Sequence, residues 1–149
     1  MRKYRSNVAA IVMNSNGKLL IFERSDHQGW GFPQGGKEVG ESDEETLKRE
    51  ISEELGTTDY ELLAKAPDLL RYEFGEGLKP LGTEFIGQEQ QYFLIQLGQN
   101  VQINFNTFPE EIEFLSWKEL GLKEVEAMNF GVKNKVYHQV LKYFQEFLK

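Results

Sequence analysis

Apolar residues near the start of the chain fall into two short runs separated by a turn. Residues 6–13 form an apolar run with β-branched members, and the Asn/Ser/Gly sequence at 14–17 favours a turn. A second apolar run over residues 18–24 completes a predicted β-hairpin. Residues 26–40 contain five Gly and one Pro, so they are predicted to form a loop.

A helical pattern follows this loop. Leu47, Ile51 and Leu55 recur every four residues and predict a helix over Asp43–Leu55 with one apolar face. That face is expected to pack against the core.

The two ends of this helix carry capping residues. Ser42 is a favourable N-cap, and Glu45 three residues later completes a capping box. Gly56 is placed to end the helix, because glycine adopts the left-handed conformation of the C′ position.

The rest of the chain alternates between strand and helix patterns. Strands are predicted at residues 61–66, 69–74, 91–97 and 113–117, with a loop at 75–87. A C-terminal helix is predicted from an apolar stripe made of Val132, Val136, Val140, Leu141, Phe144 and Leu148. This mixture predicts an α/β fold with a curved mixed sheet held between helices.

Composition narrows the classes of protein that remain. A chain of 149 residues with 40% apolar residues suits a single packed domain over residues 1–149. The absence of Cys excludes disulfides, thiolate zinc sites and cysteine nucleophiles. The apolar run at residues 8–13 is too short for a signal peptide or a membrane span, so a cytoplasmic protein without a membrane partner is expected.

The net charge of −7 argues against a protein that coats nucleic acid along a broad basic face. It leaves open a protein that binds one end of a nucleic acid. Acidic residues can face a phosphate when they hold a divalent cation, because the charge of the ion dominates locally.

Three glutamates share one face of the predicted helix. With Leu47 at zero, Glu54, Glu50 and Glu53 fall at about 340°, 300° and 240°, beside the apolar stripe. Partly buried carboxylates about 5–7 Å apart repel by roughly 2–3 kcal/mol per pair at an effective dielectric of about 20. A hard cation such as Mg²⁺ would turn this repulsion into binding. The alternative is a solvated acidic face on a surface helix, and spacing alone leaves both open.

The segment before the helix favours a ligand site. Residues 30–36, WGFPQGG, let the backbone approach a ligand closely, because glycine lacks side-chain bulk. Core packing alone explains Phe32 but not the paired Gly35 and Gly36.

Residues 35–57, GGKEVGESDEETLKREISEELGT, resemble the Nudix box. Its fixed positions are occupied here by Gly35, Glu41, Arg49, Glu50, Ile51, Glu53, Glu54 and Gly56, and only the final aliphatic position departs, as Thr57. The resemblance implies the Nudix α/β/α sandwich and hydrolysis of a phosphoanhydride bond with Mg²⁺, for which Mn²⁺ substitutes.

Individual roles follow from the same resemblance. It implies that Glu50, Glu53 and Glu54 bind metal or act as the base, that Arg49 orients a box glutamate, and that Gly35 supplies a backbone ligand or a turn. A further acid is expected before the strand at 113–117. The alignment favours Glu111 as this metal ligand or base, with Glu110 and Glu113 as alternatives.

Three further segments are similar to bacterial RNA pyrophosphohydrolases, namely YRSNV at 4–8, WGFPQGG at 30–36 and IGQEQQYFL at 86–94. These enzymes convert the 5′-triphosphate end of RNA to a 5′-monophosphate, which starts mRNA decay. The implied substrate-binding residues are Arg5, Arg24, Gln34, Phe130 and Lys133, with Val132 competing for the place of Phe130. Two other functions remain open: a dinucleoside polyphosphate hydrolase, which has the same signatures, and a catalytically silent nucleotide-binding Nudix domain.

Overall fold

The computed structural model describes residues 3–75 and 84–148. Its strands are β1 (Tyr4–Met13), β2 (Leu19–Arg24), β3 (Trp30–Gly31), β4 (Gln34–Gly36), β5 (Tyr60–Lys65), β6 (Leu70–Glu73), β7 (Gly87–Leu97) and β8 (Phe114–Leu120). Its α-helices are α1 (Asp43–Leu55), α2 (Leu122–Glu126) and α3 (Asn134–Tyr143). Short 3₁₀ turns occur at Pro109–Glu111, Gly131–Lys133 and Gln145–Phe147.

The strands form one mixed sheet around β1 and β7, which run parallel over ten paired positions. β1 also pairs antiparallel with β2 and β4, and β7 pairs antiparallel with β5 and β6. β8 continues the sheet beyond β2. The predicted α/β class with a curved mixed sheet between helices is therefore confirmed.

Alternate residues of β1 enter two separate cores, one on each face of the sheet. Val8 and Val12 pack with the apolar stripe of α1. Ala9 and Ile11 pack on the opposite face with α3. The sheet is thus covered by α1 on one side and by α3 on the other.

The predicted limits of α1 are confirmed. The Ser42 side chain accepts a hydrogen bond from the Glu45 backbone N–H, and the Glu45 side chain accepts one from the Ser42 N–H. Gly56 ends the helix with a φ of 73°.

Several sequence predictions were wrong in detail. The loop at residues 26–40 contains two short strands, β3 and β4, which gain their partners from β2 and β1. β7 begins at Gly87 and not at residue 91. The predicted loop at 75–87 falls largely on residues 76–83, which lie outside the described residues.

The C-terminal stripe is buried as expected except for its first residue. Val132 lies in the 3₁₀ turn before α3 and is exposed. Phe144 and Leu148 are buried although α3 ends at Tyr143. In the part of the chain that the structure describes, no helix is long and apolar enough to cross a membrane.

Candidate active site

Arg49 links α1 to the glycine strand β4. Its Nε and Nη2 donate to the two carboxylate oxygens of Glu41 at 2.7 and 3.0 Å, and its Nη1 donates to Glu50 Oε1 at 2.9 Å. Its Nη2 also donates to the Gly36 carbonyl at 2.9 Å. The hydrogen bonds from Arg49 lower the pKa of Glu41 to about 2. Arg49 therefore contacts a box glutamate, as the family resemblance implied, and ties the acidic helix to β4.

Gly35 and Gly36 make room for two different side chains on opposite faces of β4. A Cβ on Gly35 would overlap the carboxylate of Glu50. A Cβ on Gly36 would overlap the guanidinium of Arg5, which comes from β1. Neither glycine has a positive φ, so space and not backbone conformation explains the pair. One dipeptide thus places an acid on the α1 side and an arginine on the α3 side.

Glu50, Glu53 and Glu54, the three glutamates on one face of α1, are buried to different degrees. The side chain of Glu53 is 34% exposed, that of Glu50 is 14% exposed, and Glu54 is 6% exposed overall. Burial raises the pKa of Glu50 to about 7. Burial, followed by the charge of Glu50, raises the pKa of Glu54 well above its ordinary value. The acids lie at the boundary of the core, as the helical spacing predicted.

Glu113 and not Glu111 faces these acids. Glu113 lines a cavity together with Glu54, and its charge contributes to the raised pKa values of both Glu50 and Glu54. Partial desolvation of the Glu113 carboxylate raises its own pKa. Glu111 lies at the end of an exposed 3₁₀ turn and does not line this cavity. The position favours Glu113, which the sequence had left, with Glu110, as an alternative to Glu111.

The cleft beside the acids is lined by basic and polar side chains. Arg24 and Lys133 line three adjoining cavities, and Gln34 lines two of them. Lys133 is 9% exposed, and burial followed by the charge of Arg24 lowers its pKa to about 8. A buried cation such as Lys133 favours an anionic ligand, whereas Arg24 is already paired with Asp26 at 2.5 Å. Four of the five predicted substrate-binding residues, Arg24, Gln34, Phe130 and Lys133, line this cleft.

Phe130 and Val132 line the same cavity, together with Trp30. The Phe130 ring packs edge-on against Tyr137 with 4.7 Å between centroids, whereas Val132 is 40% exposed. From the sequence, Trp30 was placed in the loop before α1 and was not among the predicted substrate-binding residues.

Asp26 is a second residue that sequence reasoning missed. Its Oδ2 accepts a hydrogen bond from Arg24 Nη2 at 2.5 Å, and it lines the cleft. No sequence signal distinguished it from other loop acids, because its importance depends on the turn that folds residues 24–29 back on themselves.

Two observations fit a divalent cation. Glu54 Oε2 is buried and has no hydrogen-bond partner among the described residues. The nearby carboxylates supply the oxygen ligands that hard cations prefer. Within residues 3–75 and 84–148, however, no three acidic, His or Cys side chains are gathered into a preformed metal site. The carboxylates near Glu54 would therefore have to move closer together when a cation binds.

The raised pKa values predict how stability depends on pH and metal. Glu50 has a pKa of about 7 in the fold and an ordinary pKa of 4.5, so the folded state binds more protons between these values. Stability without metal should fall as the pH rises from 5 to 8, by about 3 kcal/mol for Glu50. Glu41 titrates below this window.

Adding Mg²⁺ should raise the melting temperature more at pH 8 than at pH 5, because the metal needs ionised carboxylates. Thermal melts with EDTA and with Mg²⁺ at both pH values measure this. The Glu50→Gln variant is the control and should show a smaller pH dependence. A wild-type melting temperature that rises with pH in EDTA would contradict the prediction.

Comparison with known proteins identifies this fold, with its acidic helix beside a basic cleft, as that of an enzyme that hydrolyses phosphoanhydride bonds. A family model described as the NUDIX domain matches residues 3–140, so the chain belongs to the Nudix family. Nudix hydrolases in general use divalent metals.

Curated relatives cover almost the whole chain. The RNA pyrophosphohydrolase of Campylobacter jejuni strain 81-176 is 39% identical over an alignment of 150 positions, which covers 97% of this chain and 95% of that protein. The RNA pyrophosphohydrolase of Helicobacter pylori strain P12 is 39% identical over an alignment of 151 positions, with the same two coverages.

Solved structures share the fold at low identity. The E. coli dihydroneopterin triphosphate pyrophosphohydrolase matches with a TM-score of 0.71 and 16% identity over 97% of this chain and 99% of its own. A C. elegans Ap4A hydrolase binary complex matches with a TM-score of 0.71 and 18% identity over 96% of each chain.

Proposed function

We propose that this chain is an RNA 5′-pyrophosphohydrolase that converts 5′-triphosphate RNA to the 5′-monophosphate in the cytoplasm and so starts mRNA decay. The observation that carries the proposal is the 39% identity over 97% of the chain with proteins named RNA pyrophosphohydrolase. The basic cleft beside Glu54 supports it, because that cleft suits a chain of phosphates.

Mg²⁺ is the metal that we propose, with Gly35, Glu50, Glu53 and Glu54 as the group that holds it. A bound divalent cation would lower the pKa of the attacking water and offset charge on the phosphates. Arg49 holds Glu50 in place through its 2.9 Å hydrogen bond. Glu50 would accept the proton of the attacking water. Glu113 would be the further acid, from outside α1, that the sequence analysis expects as a metal ligand or base.

Arg5, Arg24 and Lys133 would bind the phosphate oxygens. Arginine suits this role because its planar fork donates to two oxygens at once. The ring of Phe130 would contact the first base or its neighbour, since stacking on an aromatic ring stabilises a terminal base by about 1–3 kcal/mol.

The Glu53→Gln variant should lose about a hundredfold in the rate of 5′-monophosphate formation. The change removes one negative oxygen from the metal group, and electrostatic groups of this kind contribute on that scale. End-group analysis of 5′-triphosphate RNA with Mg²⁺ measures the rate. A variant that keeps most of its activity would remove Glu53 from the metal group.

The same assay with diadenosine tetraphosphate tests the substrate class. We expect a higher kcat/KM on triphosphate RNA. A higher kcat/KM on the dinucleotide would instead make the protein a dinucleoside polyphosphate hydrolase, and no turnover of either would favour the silent domain.

Glu113 and Glu111 form a matched pair of variants on neighbouring residues. Glu113→Gln should lower kcat at least about tenfold, because its carboxylate faces the acids of α1. Glu111→Gln should change kcat less than about twofold, since Glu111 lies on the exposed turn. A larger loss of kcat in Glu111→Gln than in Glu113→Gln would show that Glu111 is the further acid.

A further inference from the structure

A group of buried carboxamides lies on the α3 side of the sheet, directly below the cleft. Asn7 comes from β1, Gln34 from β4, and Gln88 and Gln90 from β7. Asn7 is 2% exposed and Gln90 is 1% exposed. Buried amides require hydrogen-bond partners, so the direction in which each one donates has consequences for its neighbours.

The Nδ2 group of Asn7 donates to two acceptors, Gln34 Oε1 and Gln88 Oε1. An amide nitrogen carries two hydrogens, so these two bonds use both. Because the two carbonyl oxygens point towards Asn7, the Nε2 groups of Gln34 and Gln88 point away from it. Both glutamines line a cavity of about 250 Å³ that also contains Arg24 and Lys133.

At the end of the group nearest the core, the hydroxyl of Tyr92 determines the orientation of the Gln90 amide. Burial raises the pKa of Tyr92 well above its ordinary value, so its hydroxyl keeps a proton that requires an acceptor. That acceptor is Gln90 Oε1 at 2.7 Å, which leaves Gln90 Nε2 as a donor. Gln90 and Asn7 are register partners on paired strands. Among the described residues, neither Gln90 Nε2 nor Asn7 Oδ1 has a hydrogen-bond partner, although Nε2 is a donor and Oδ1 an acceptor.

At the end of the group nearest the cleft, Gln88 lies beside Tyr72. Tyr72 is the register partner of Gln88 and lines the same cavity. Burial raises the pKa of Tyr72, and a hydrogen bond with Gln88 opposes this rise, as a donor to the phenol oxygen does. Gln88 Nε2 points away from Asn7, and Tyr72 lies beside Gln88 on the neighbouring strand. The Gln34 and Gln88 amides thus have their oxygens towards Asn7 and their nitrogens towards the cavity.

We propose that Asn7 is a positioning residue that holds the Gln34 and Gln88 amides with their N–H donors towards the cleft, where they bind phosphate oxygens. The identity of the ligand rests on the proposed function. Phosphate oxygens only accept hydrogen bonds. A cavity wall of amide N–H donors therefore binds them, whereas a wall of carbonyl oxygens repels them. The donors complement the positive charges of Arg24 and Lys133.

The Asn7→Asp variant tests the proposal, because it keeps the shape of residue 7 and replaces its donor with an acceptor. Gln34 and Gln88 should then turn their N–H groups inwards and present carbonyl oxygens to the cleft. The Kd for inorganic tripolyphosphate, measured by calorimetry in EDTA so that only protein groups bind, should rise at least about tenfold. With triphosphate RNA and Mg²⁺, KM should rise more than kcat falls.

Gln88 and Gln91 offer a matched control on one strand, since each is 7% exposed. Gln88→Met removes a cleft donor and should weaken tripolyphosphate binding. Gln91 donates to the Ala66 and Tyr92 carbonyls, away from the cavity, so Gln91→Met should lower the melting temperature and leave the Kd unchanged. Equal effects of the two variants on the Kd would overturn the proposal.

Neutron diffraction of the deuterated wild-type protein reads the amide directions directly. Deuterium on the atoms of Gln34 and Gln88 that face Asn7 would overturn the proposal, even if Asn7→Asp fails to fold. An unchanged Kd in folded Asn7→Asp would do the same. If tripolyphosphate binding follows the expected pattern but triphosphate RNA is not cleaved, the proposed function fails while the role of Asn7 stands.

Discussion

Replacing Gly35 with alanine should lower kcat on triphosphate RNA by two to three orders of magnitude and leave the fold intact. The new Cβ would occupy the position of the Glu50 carboxylate, so that side chain must move. The backbone tolerates alanine, because Gly35 has no positive φ. Displacing a group that stabilises the transition state lowers rates on the scale of about 10²–10³.

The measurements are single-turnover kinetics with Mg²⁺ and a thermal melt with and without the metal. Gly35→Ala should melt near the wild-type temperature in EDTA but gain less from Mg²⁺. Gly36→Ala is the matched control on the opposite face, where it displaces Arg5 and should raise KM more than it lowers kcat. A Gly35→Ala enzyme with wild-type kcat would show that Glu50 acts equally well from another position.

Replacing Glu54 with glutamine should abolish most activity, again by two to three orders of magnitude, without lowering stability in EDTA. Its Oε2 is buried without a partner among the described residues, so a charge there is stabilised only when a cation binds. Burial and the charge of Glu50 raise the pKa of Glu54 and so oppose its ionisation, and glutamine removes that charge with little change in shape.

Above pH 7 the Glu54→Gln protein should be at least as stable as the wild type in EDTA, and it should lose most of the Mg²⁺-dependent rise in melting temperature. Calorimetry with and without Mg²⁺, together with end-group analysis, measures both effects. Thr46→Ser, a conservative change of another buried residue of α1, is the control and should keep both activity and the Mg²⁺ response. Strong destabilisation of Glu54→Gln in EDTA would show that the carboxylate has a structural role without metal.

The sequence was sufficient for those parts of the site that depend on local structure. Helical spacing placed Glu50, Glu53 and Glu54 beside the buried stripe, and capping residues predicted both ends of α1. These features depend on residues three or four positions apart, so no knowledge of the tertiary fold was needed.

Features that depend on distant pairing were not predictable in this way. The strands β3 and β4 have no alternating apolar pattern, and they form because β1 and β2 supply backbone hydrogen bonds. The Asn7 amide group requires the parallel pairing of β1 with β7, whose residues are more than 80 positions apart. Glu113 could not be chosen over Glu111 because the 3₁₀ turn at Pro109–Glu111 determines which acid faces inwards.

Side chains of consecutive residues in an extended strand project to opposite sides. Gly35 and Gly36 therefore serve different layers of the protein, and moving β4 by one residue along β1 would move each to the other face. Depending on the direction, the shift would bring the side chain of Gln34 against Glu50 or that of Lys37 against Arg5. The number of residues between β3 and β4 is therefore fixed, since one residue more or fewer would misplace both glycines. Insertions should not be tolerated in this segment, but they should be tolerated on the far side of the sheet, in the turn at residues 14–17.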